Sequence, residues 1–462
     1  MRKLFLFATA GLLASCTNLA PPDVRPALPT ASEYPAAFAG DVAPGQRASE
    51  ISLAQFLIDP RLEALVGQAL VRNRDLAVAV ARIEEARGLY RIQNADRLPT
   101  VDASGDATRS RMQGPTGPDT TNRFAVGVAV TGFELDFWGR VRNLSEAARS
   151  EYLATRQAER AFRLSLIRDV ASAYFAAREA EERIALAQNT VTSRREALRI
   201  ARRRLDAGVT SALDFRQSES LLTQAEAELA SLKLSRAQSE DFLAVRVGGP
   251  IAGPLPAPMP LAEQTAMPAL AAGLPSELLV ARPDVLAAEE RLRAARANIG
   301  AARAAFFPSI SLTGAAGFAS TALGSLLGGD GLTWSFGPSI RLPIFDGGRN
   351  RGNLTVAQAR ENIAVATYEV TVQTAFREVA DALAGRQYYA EQAAAGARGL
   401  VAAGQIARLA RLRYREGVAS YLEVLDAERS LFAAEQQQIQ VRRAQADNLV
   451  ALYVALGGGE VE

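Results

Sequence analysis

The chain has no histidine and a single cysteine, Cys16. The first absence removes His-based triads and imidazole metal ligands, and the second removes any intrachain disulfide. No Walker-type or GxGxxG loop occurs, and no Asp/Glu pair sits in a pocket-like context. These absences leave no constellation for an enzyme, a metal site or a bound cofactor. Charge of one sign is missing too. Lys and Arg number 52 against 50 Asp and Glu, a net charge of +2. Spread along helical segments as on solvated faces, that balance leaves no footprint for nucleic acid.

A third absence organises the rest. Residues Val141 to Ala207 contain neither Gly nor Pro over 67 positions. Ala, Arg, Glu, Leu and Gln dominate the stretch, and all are good helix formers. One continuous helix there is about 100 Å long at 1.5 Å per residue. A globular enzyme has no use for such a rod.

Shifting the sequence by 209 residues brings its landmarks into register. Asp75 falls on Asp284, Pro99 on Pro308, and Gly139-Arg140 on Gly348-Arg349. Gly208-Val209 falls on Gly417-Val418, and Gly248-Gly249 on Gly457-Gly458. Composition alone does not keep such markers aligned, so residues 73–249 and 282–458 are read as two copies of one unit.

The N-terminus reads as an export signal over residues 1–15. Arg2 and Lys3 precede the apolar run Leu4 to Leu13, which is too short to span a membrane. Leu13-Ala14-Ser15-Cys16 resembles a bacterial lipobox, in which the Cys becomes the first mature residue and carries N-acyl and S-diacylglycerol lipid. Thr17 follows, where Asp is the usual inner-membrane retention signal, so the outer membrane is favoured. Residues 16–72 then comprise a Pro- and Ala-rich extended strap and a first helical segment.

Within the first copy, Leu53 to Leu98 is predicted helical from Asp59-Pro60, and Pro99 stops it. Val101, Ala103, Gly105 and Ala107 alternate with polar residues as in a strand. Met112 to Asn122 is expected to be a loop. Phe124, Val126, Val128 and Val130 mark a second strand. Phe133 to Arg140 forms an aromatic corner that leads into the rod. The rod ends at Gly208, a helix C-cap position, and 39 residues free of Gly and Pro return. The return is too short to match the rod, so two shorter helices are predicted to stack end to end beside it.

The second copy repeats the pattern. Ile310, Leu312, Gly314, Ala316 and Phe318 alternate, Ala319 to Leu332 is a Gly-rich loop, and Trp334, Phe336, Ile340 and Leu342 mark a fourth strand. The second rod, Asn350–Glu416, contains five Gly and no Pro. Those glycines weaken helix locally and are expected to let it bend. The return segment places Val418, Leu425, Phe432, Ile439, Ala446 and Tyr453 seven apart, which is coiled-coil spacing. Residues 250–281 form a Pro-rich link between the copies, and 459–462 a tail.

The predicted fold is an α+β membrane protein, mainly long helices, with four strands per chain. Open sheet edges are not tolerated in lipid, so the strands need partners. Two copies close an eight-stranded barrel that side chains fill, whereas three give twelve strands and room for a channel. Both rods follow a second strand, so all helices project to one side as a duct across the periplasm.

Four stretches carry a family resemblance. They are Leu278 to Val285, Gly300 to Ile310, Leu342 to Arg349, and Arg413 to Gly417 with Leu425-Asp426-Ala427. Together they resemble the outer membrane factor family, the TolC-like efflux ducts, and within it the lipoprotein branch typified by OprM and often labelled NodT. Leu53-Ala54-Gln55-Phe56 departs from that pattern by lacking a Trp. The resemblance implies a homotrimer with a β-barrel in the outer membrane and an α-helical tunnel. It implies docking to a periplasmic membrane-fusion adaptor and to an inner-membrane pump, commonly of the resistance-nodulation-division type. The implied function is passive conduction of drugs, solvents or metal ions. A type I protein secretion duct is the alternative, and a lipid-anchored coiled-coil scaffold without a pore is a further rival.

The resemblance also implies roles at the hairpin turns, Gly208 and Gly417. Tyr414, three before the second turn, is expected to bond Asp214, six after the first, and so hold a closed state. A basic residue two after the second turn helps lock some relatives, and Ala419 stands there. Glu423 and Asp426 correspond to acidic rings at the constriction.

Overall fold

The computed structural model describes residues 18–31, 34, 47–115, 117–268, 270–271 and 278–459. Cys16 and its lipobox lie outside the described residues. The chain divides into two compact units. One comprises Met1–Ala27, Ala81–Gln157 and Leu286–Val370, and the other Leu28–Val80, Ala158–Val285 and Thr371–Glu462. No helix among the described residues is long and apolar enough to cross a membrane.

The first unit holds one antiparallel sheet in the order β1-β2-β3-β4. Its strands are β1 (Val101–Gly114), β2 (Gly117–Leu135), β3 (Ser309–Ser320) and β4 (Leu332–Arg341). The loop expected over Met112 to Asn122 is not there. The β1–β2 ladder runs on to Gly114↔Gly117 and leaves only residues 115–116 between the strands. Gly117 turns at φ 122, which a residue with a Cβ rarely adopts. Pro118 lies beyond the Phe124↔Ser320 end of the β2–β3 ladder, so its missing N–H costs no bond on that side. The ladder slips once, between Val130 and Phe133. Gly132 sits in that bulge at φ 67, and its N–H donates to the Thr313 hydroxyl at 3.2 Å.

The register sorts the sheet into two faces. Ala103↔Val128↔Ala316↔Trp334 and Gly105↔Val126↔Phe318↔Leu332 share one face. Asp102↔Ala129↔Ala315↔Ser335 and Ser104↔Gly127↔Gly317↔Thr333 share the other. Among the described residues this apolar face is left open, with Val126 40%, Val128 49% and Trp334 77% exposed.

Four helices attach to this sheet: α3 (Arg74–Ala95), α4 (Arg140–Asp206), α8 (Pro283–Ala304) and α9 (Arg349–Arg415). Carboxylates cap both long helices. Asp136 accepts from Arg142 N at 2.7 Å, and Asp346 from Asn350 N at 2.9 Å. Trp138 stacks on Phe307 at 4.8 Å and donates to Pro308 O at 2.8 Å, which fixes the aromatic corner. The described strap lies along α8. Asp23 pairs with Arg293 at 2.9 Å and Arg296 at 3.0 Å, and Arg25 pairs with Glu289 at 2.9 Å. A Cβ at Gly300 would come within 2.8 Å of Ala20 N, so the strap's approach requires glycine there.

In the second unit the helical segment expected over Leu53 to Leu98 is three helices. They are α1 (Leu53–Phe56), α2 (Pro60–Arg72) and the start of α3. Asp59 caps α2, with Pro60 at the first helical position. It is fully buried and accepts from Tyr174 Oη at 2.6 Å, Met259 N at 3.4 Å and the Gln264 side chain. Burial and the neighbouring Asp59 charge raise the Tyr174 pKa. The Pro-rich link is thus held inside the unit, with α6 (Leu261–Gln264) carrying a fully buried Leu261. The short helix α7 (Leu278–Ala281) precedes α8.

The return helices are α5 (Ala212–Val247) and α10 (Tyr421–Ala455). The end of α5 meets the α2–α3 junction, where Asn73 Nδ2 donates to Arg246 O at 2.8 Å. A Cβ on Gly248 would meet Arg72 O at 2.2 Å. The end of α5 and the start of α3 thus meet at this junction. Both long helices are 67 residues, and α9 stays continuous through its glycines. Two of them admit side chains of α10. A Cβ on Gly385 would strike Asn448 Oδ1 at 2.1 Å, and one on Gly396 would strike Gln438 Oε1 at 2.5 Å. Of the seven-residue stripe, Leu425, Ala446 and Tyr453 are buried, whereas Val418 precedes α10 and is exposed.

Candidate functional site

The hairpin turns are built alike. Gly208 and Gly417 have φ 70 and 75, the left-handed conformation that ends a helix without strain in glycine. Val209 N donates back to Arg204 O at 2.9 Å, and Val418 N to Arg413 O at 3.0 Å. Both bonds satisfy carbonyls that the helix end leaves open. Ser211 and Ser420 then start the return helices. Ser211 Oγ accepts from Asp214 N at 3.1 Å, while Ser420 makes no side-chain cap bond.

Tyr414 lies where the second hairpin faces the first. Its ring packs at 5.1 Å from Tyr421, over a small core of Ala407, Ala410, Val424 and Ala427. The expected bond from Tyr414 to Asp214 is not made within the chain. Tyr414 Oη accepts from the Arg204 guanidinium, which also lies over the ring, 5.1 Å from its centroid. Asp214 accepts from the Thr210 hydroxyl at 2.7 Å. That bond, the Ser211 contacts and the Arg204 charge hold its carboxyl below the usual value. Arg204 therefore bonds the tyrosine and acts on Asp214 through its charge, while Asp214 takes its hydroxyl partner from its own hairpin.

Glu423 and Asp426 lie on the first turns of α10 and are exposed. Their spacing of three places them on one helix face. They border a groove with Ala402, Ile406 and Arg413, and Glu423 is 3.4 Å from the Arg413 guanidinium. Ala419 lies in the second turn.

Sequence reasoning missed Arg204, Arg194 and Tyr421. Arg194 is buried, donates to Leu221 O at 2.8 Å and lies 5.8 Å from the Phe432 ring centroid. Burial raises the Tyr421 pKa, against the opposing effect of the Ser218 hydroxyl of α5. Residues 194–204 hold six arginines, and nothing in their order distinguishes those facing the second hairpin.

Residues 65–249 and 274–458 match the family model described as outer membrane efflux protein. The solvent efflux pump outer membrane protein SrpC of Pseudomonas putida is 42% identical over 465 residues, covering 99% of this chain and 98% of its own. The cation efflux system protein CusC of Escherichia coli (strain K12) is 39% identical over 459 residues, covering 99% of both. The open state of the MtrE outer membrane channel of Neisseria gonorrhoeae matches with a TM-score of 0.86 at 39% identity, over 96% of this chain and 98% of that one. With both repeats matched by one model and full-length relatives at this identity, the chain belongs to the outer membrane efflux protein family.

Proposed function

We propose that the protein is the outer-membrane exit duct of a tripartite efflux pump. The observation that carries this reading is the two-faced sheet with both edges, β1 and β4, left unpaired among the described residues. An exposed apolar face suits lipid, and the polar, small-residue face suits a lumen. Strands of 10 to 19 residues are long enough to span the hydrocarbon, which takes about 9–11. Free edges are excluded from lipid, so β4 of one copy pairs with β1 of the next. Three copies close twelve strands and leave a channel.

Conduction is passive, and an inner-membrane pump coupled through a periplasmic adaptor supplies the energy. A pump of the resistance-nodulation-division type is the partner we assign. SrpC is named for solvents and CusC for cations. One duct architecture serves both, so the pump rather than the duct selects the cargo. Acyl chains on Cys16 add an anchor to the barrel. Tyr414 and Asp214 belong to the latch, through Arg204, and Glu423 and Asp426 form acidic rings at the periplasmic mouth.

Native mass spectrometry of the detergent-extracted protein tests the assembly. Three copies per particle are expected, and a monomer would contradict the shared barrel.

A further inference from the structure

Arg183, Arg194 and Arg204 follow one another along α4 at intervals of 11 and 10 residues. Three helical turns take about 10.8 residues, so the three side chains leave one face of the helix. Each reaches the second hairpin. Arg183 donates to the Gln436 side chain on α10, Arg194 lies against Phe432 on α10, and Arg204 donates to Tyr414 on α9.

The partners change in kind along the row. Arg183 binds two carboxylates, Glu179 at 2.9 Å and Glu228 at 3.1 Å. Glu179 in turn pairs with Arg443 of α10 at 2.8 Å, which ties that rung to the second hairpin by charge. Arg194 has a backbone carbonyl and an aromatic ring. Burial holds its guanidinium below its ordinary value, against the Glu428 charge. Arg204, in the last turn of α4, has a tyrosine hydroxyl and ring. Bonds between two ionised groups are stronger than bonds to a neutral partner. At the Arg183 rung, Glu179–Arg443 is the bond across to the second hairpin that joins two ionised groups. Arg194 and Arg204 reach neutral partners there, so the rungs weaken toward the turns. Ala419 puts no cation two residues after Gly417, and Arg204 brings one to Tyr414 from the opposite hairpin.

We propose that these three arginines form a graded zip between the hairpins. The Arg183 rung stays shut, and the Arg204 rung is the one that parts when the turns separate. Arg204 is thus a positioning residue that sets the resting place of Tyr414. Its purpose rests on the duct reading, but its geometry does not.

The test uses the full-length assembled protein as wild type, Arg204→Ala, Arg204→Lys and Arg183→Gln. Amide exchange and single-channel conductance are read in parallel. Arg204→Ala should speed exchange around residues 410–420 about ten-fold, the loss of one charge-assisted bond. It should raise conductance and leave exchange around residues 379–395 unchanged. Arg204→Lys keeps the charge but not the flat stack, and should fall between wild type and alanine. Arg183→Gln should lower the melting temperature at wild-type conductance. Wild-type exchange at the turn in Arg204→Ala would overturn the zip, and so would Arg183→Gln opening the channel as far as Arg204→Ala does. If every form is silent in bilayers while exchange follows the expected pattern, the duct reading fails and the zip stands.

Discussion

The guanidinium of Arg282 donates to the carbonyl of Ala455 at 3.0 Å. In the other repeat, 209 residues earlier, Asn73 donates to Arg246 O at 2.8 Å. Different side chains thus close the same junction between the end of a return helix and the start of the helix it meets. The neighbouring carboxylates match as well. Glu378 pairs with Arg282 at 2.8 Å, and Asp169, its counterpart, approaches Arg246 at 3.6 Å. The acidic position is kept, and the cation has moved from one strand of the junction to the other.

The two junctions should differ in cost. Arg282 is buried and holds Glu378, Asp284 and a carbonyl together. Arg282→Ala should destabilise by about 3 kcal/mol, the cost of breaking a buried pair. Asn73→Ala removes neutral bonds and should cost about 1 kcal/mol. Urea unfolding of the purified protein ranks the two, and equal midpoints would contradict the assignment.

Gly385 should not tolerate a methyl group. Asn448 fills that space and donates to Ala382 O at 2.9 Å. Gly385→Ala should lower stability by about 1–3 kcal/mol, although alanine favours helix. Asn448→Ala in the same chain should recover part of the loss. Thermal melts of the two single variants and the double variant give the coupling, and a stabilised Gly385→Ala would exclude the close approach.

Asp447 should give stability a pH dependence. Burial pushes its carboxyl up to about 6, against the Arg443 charge. Its unfolded value is about 3.9, so the folded state takes up the proton first as pH falls. The resulting stabilisation is present at about pH 4 and is lost as pH rises through 6. Asp447→Asn should flatten that part of the profile. Melting temperatures between pH 4 and 8 check it, and an unchanged slope would assign the titration elsewhere.

Cys16 should carry lipid at the mature N-terminus. Mass spectrometry of the extracted protein should find acyl chains on a chain beginning at Cys16, and an unmodified N-terminus would contradict it. Cys16→Ala behind an export-competent signal should still assemble, because the barrel also anchors the protein.

The long-range plan was legible because punctuation is local. Gly208, Gly417, Pro99 and Pro308 end elements by their own backbone chemistry, wherever the rest of the chain lies. The β1–β2 loop was misread because Gly and Pro also serve hairpins at strand ends, and only the register distinguishes the two. The packing role of Gly385 and Gly396 in the second rod was not legible for a related reason. Whether a glycine bends a helix or admits a neighbour depends on what faces it, and Asn448 is 63 residues away. At the turns, Gly208 and Gly417 were placed from the breaks in the helical runs, whereas Tyr414, Asp214, Glu423 and Asp426 were singled out only through the family resemblance. Arg204 was not legible, because partner choice among neighbouring arginines is set by helix rotation across a tertiary contact.

Reversal potentials in planar bilayers test the duct most directly. In the proposed trimer, three copies would crowd six carboxylates from Glu423 and Asp426 around one axis, and cations would relieve their repulsion. The wild-type protein should conduct, prefer cations, and be blocked by a trivalent cation from the periplasmic side. Salt should weaken that block, since exposed charges are screened over roughly 8 Å at physiological ionic strength. With both residues changed to Ala, the channel should still conduct, with the block abolished and the cation preference reduced. A wild-type protein that forms no conducting channel would contradict the duct itself. A double variant with wild-type reversal potentials and wild-type block would place the acidic rings elsewhere.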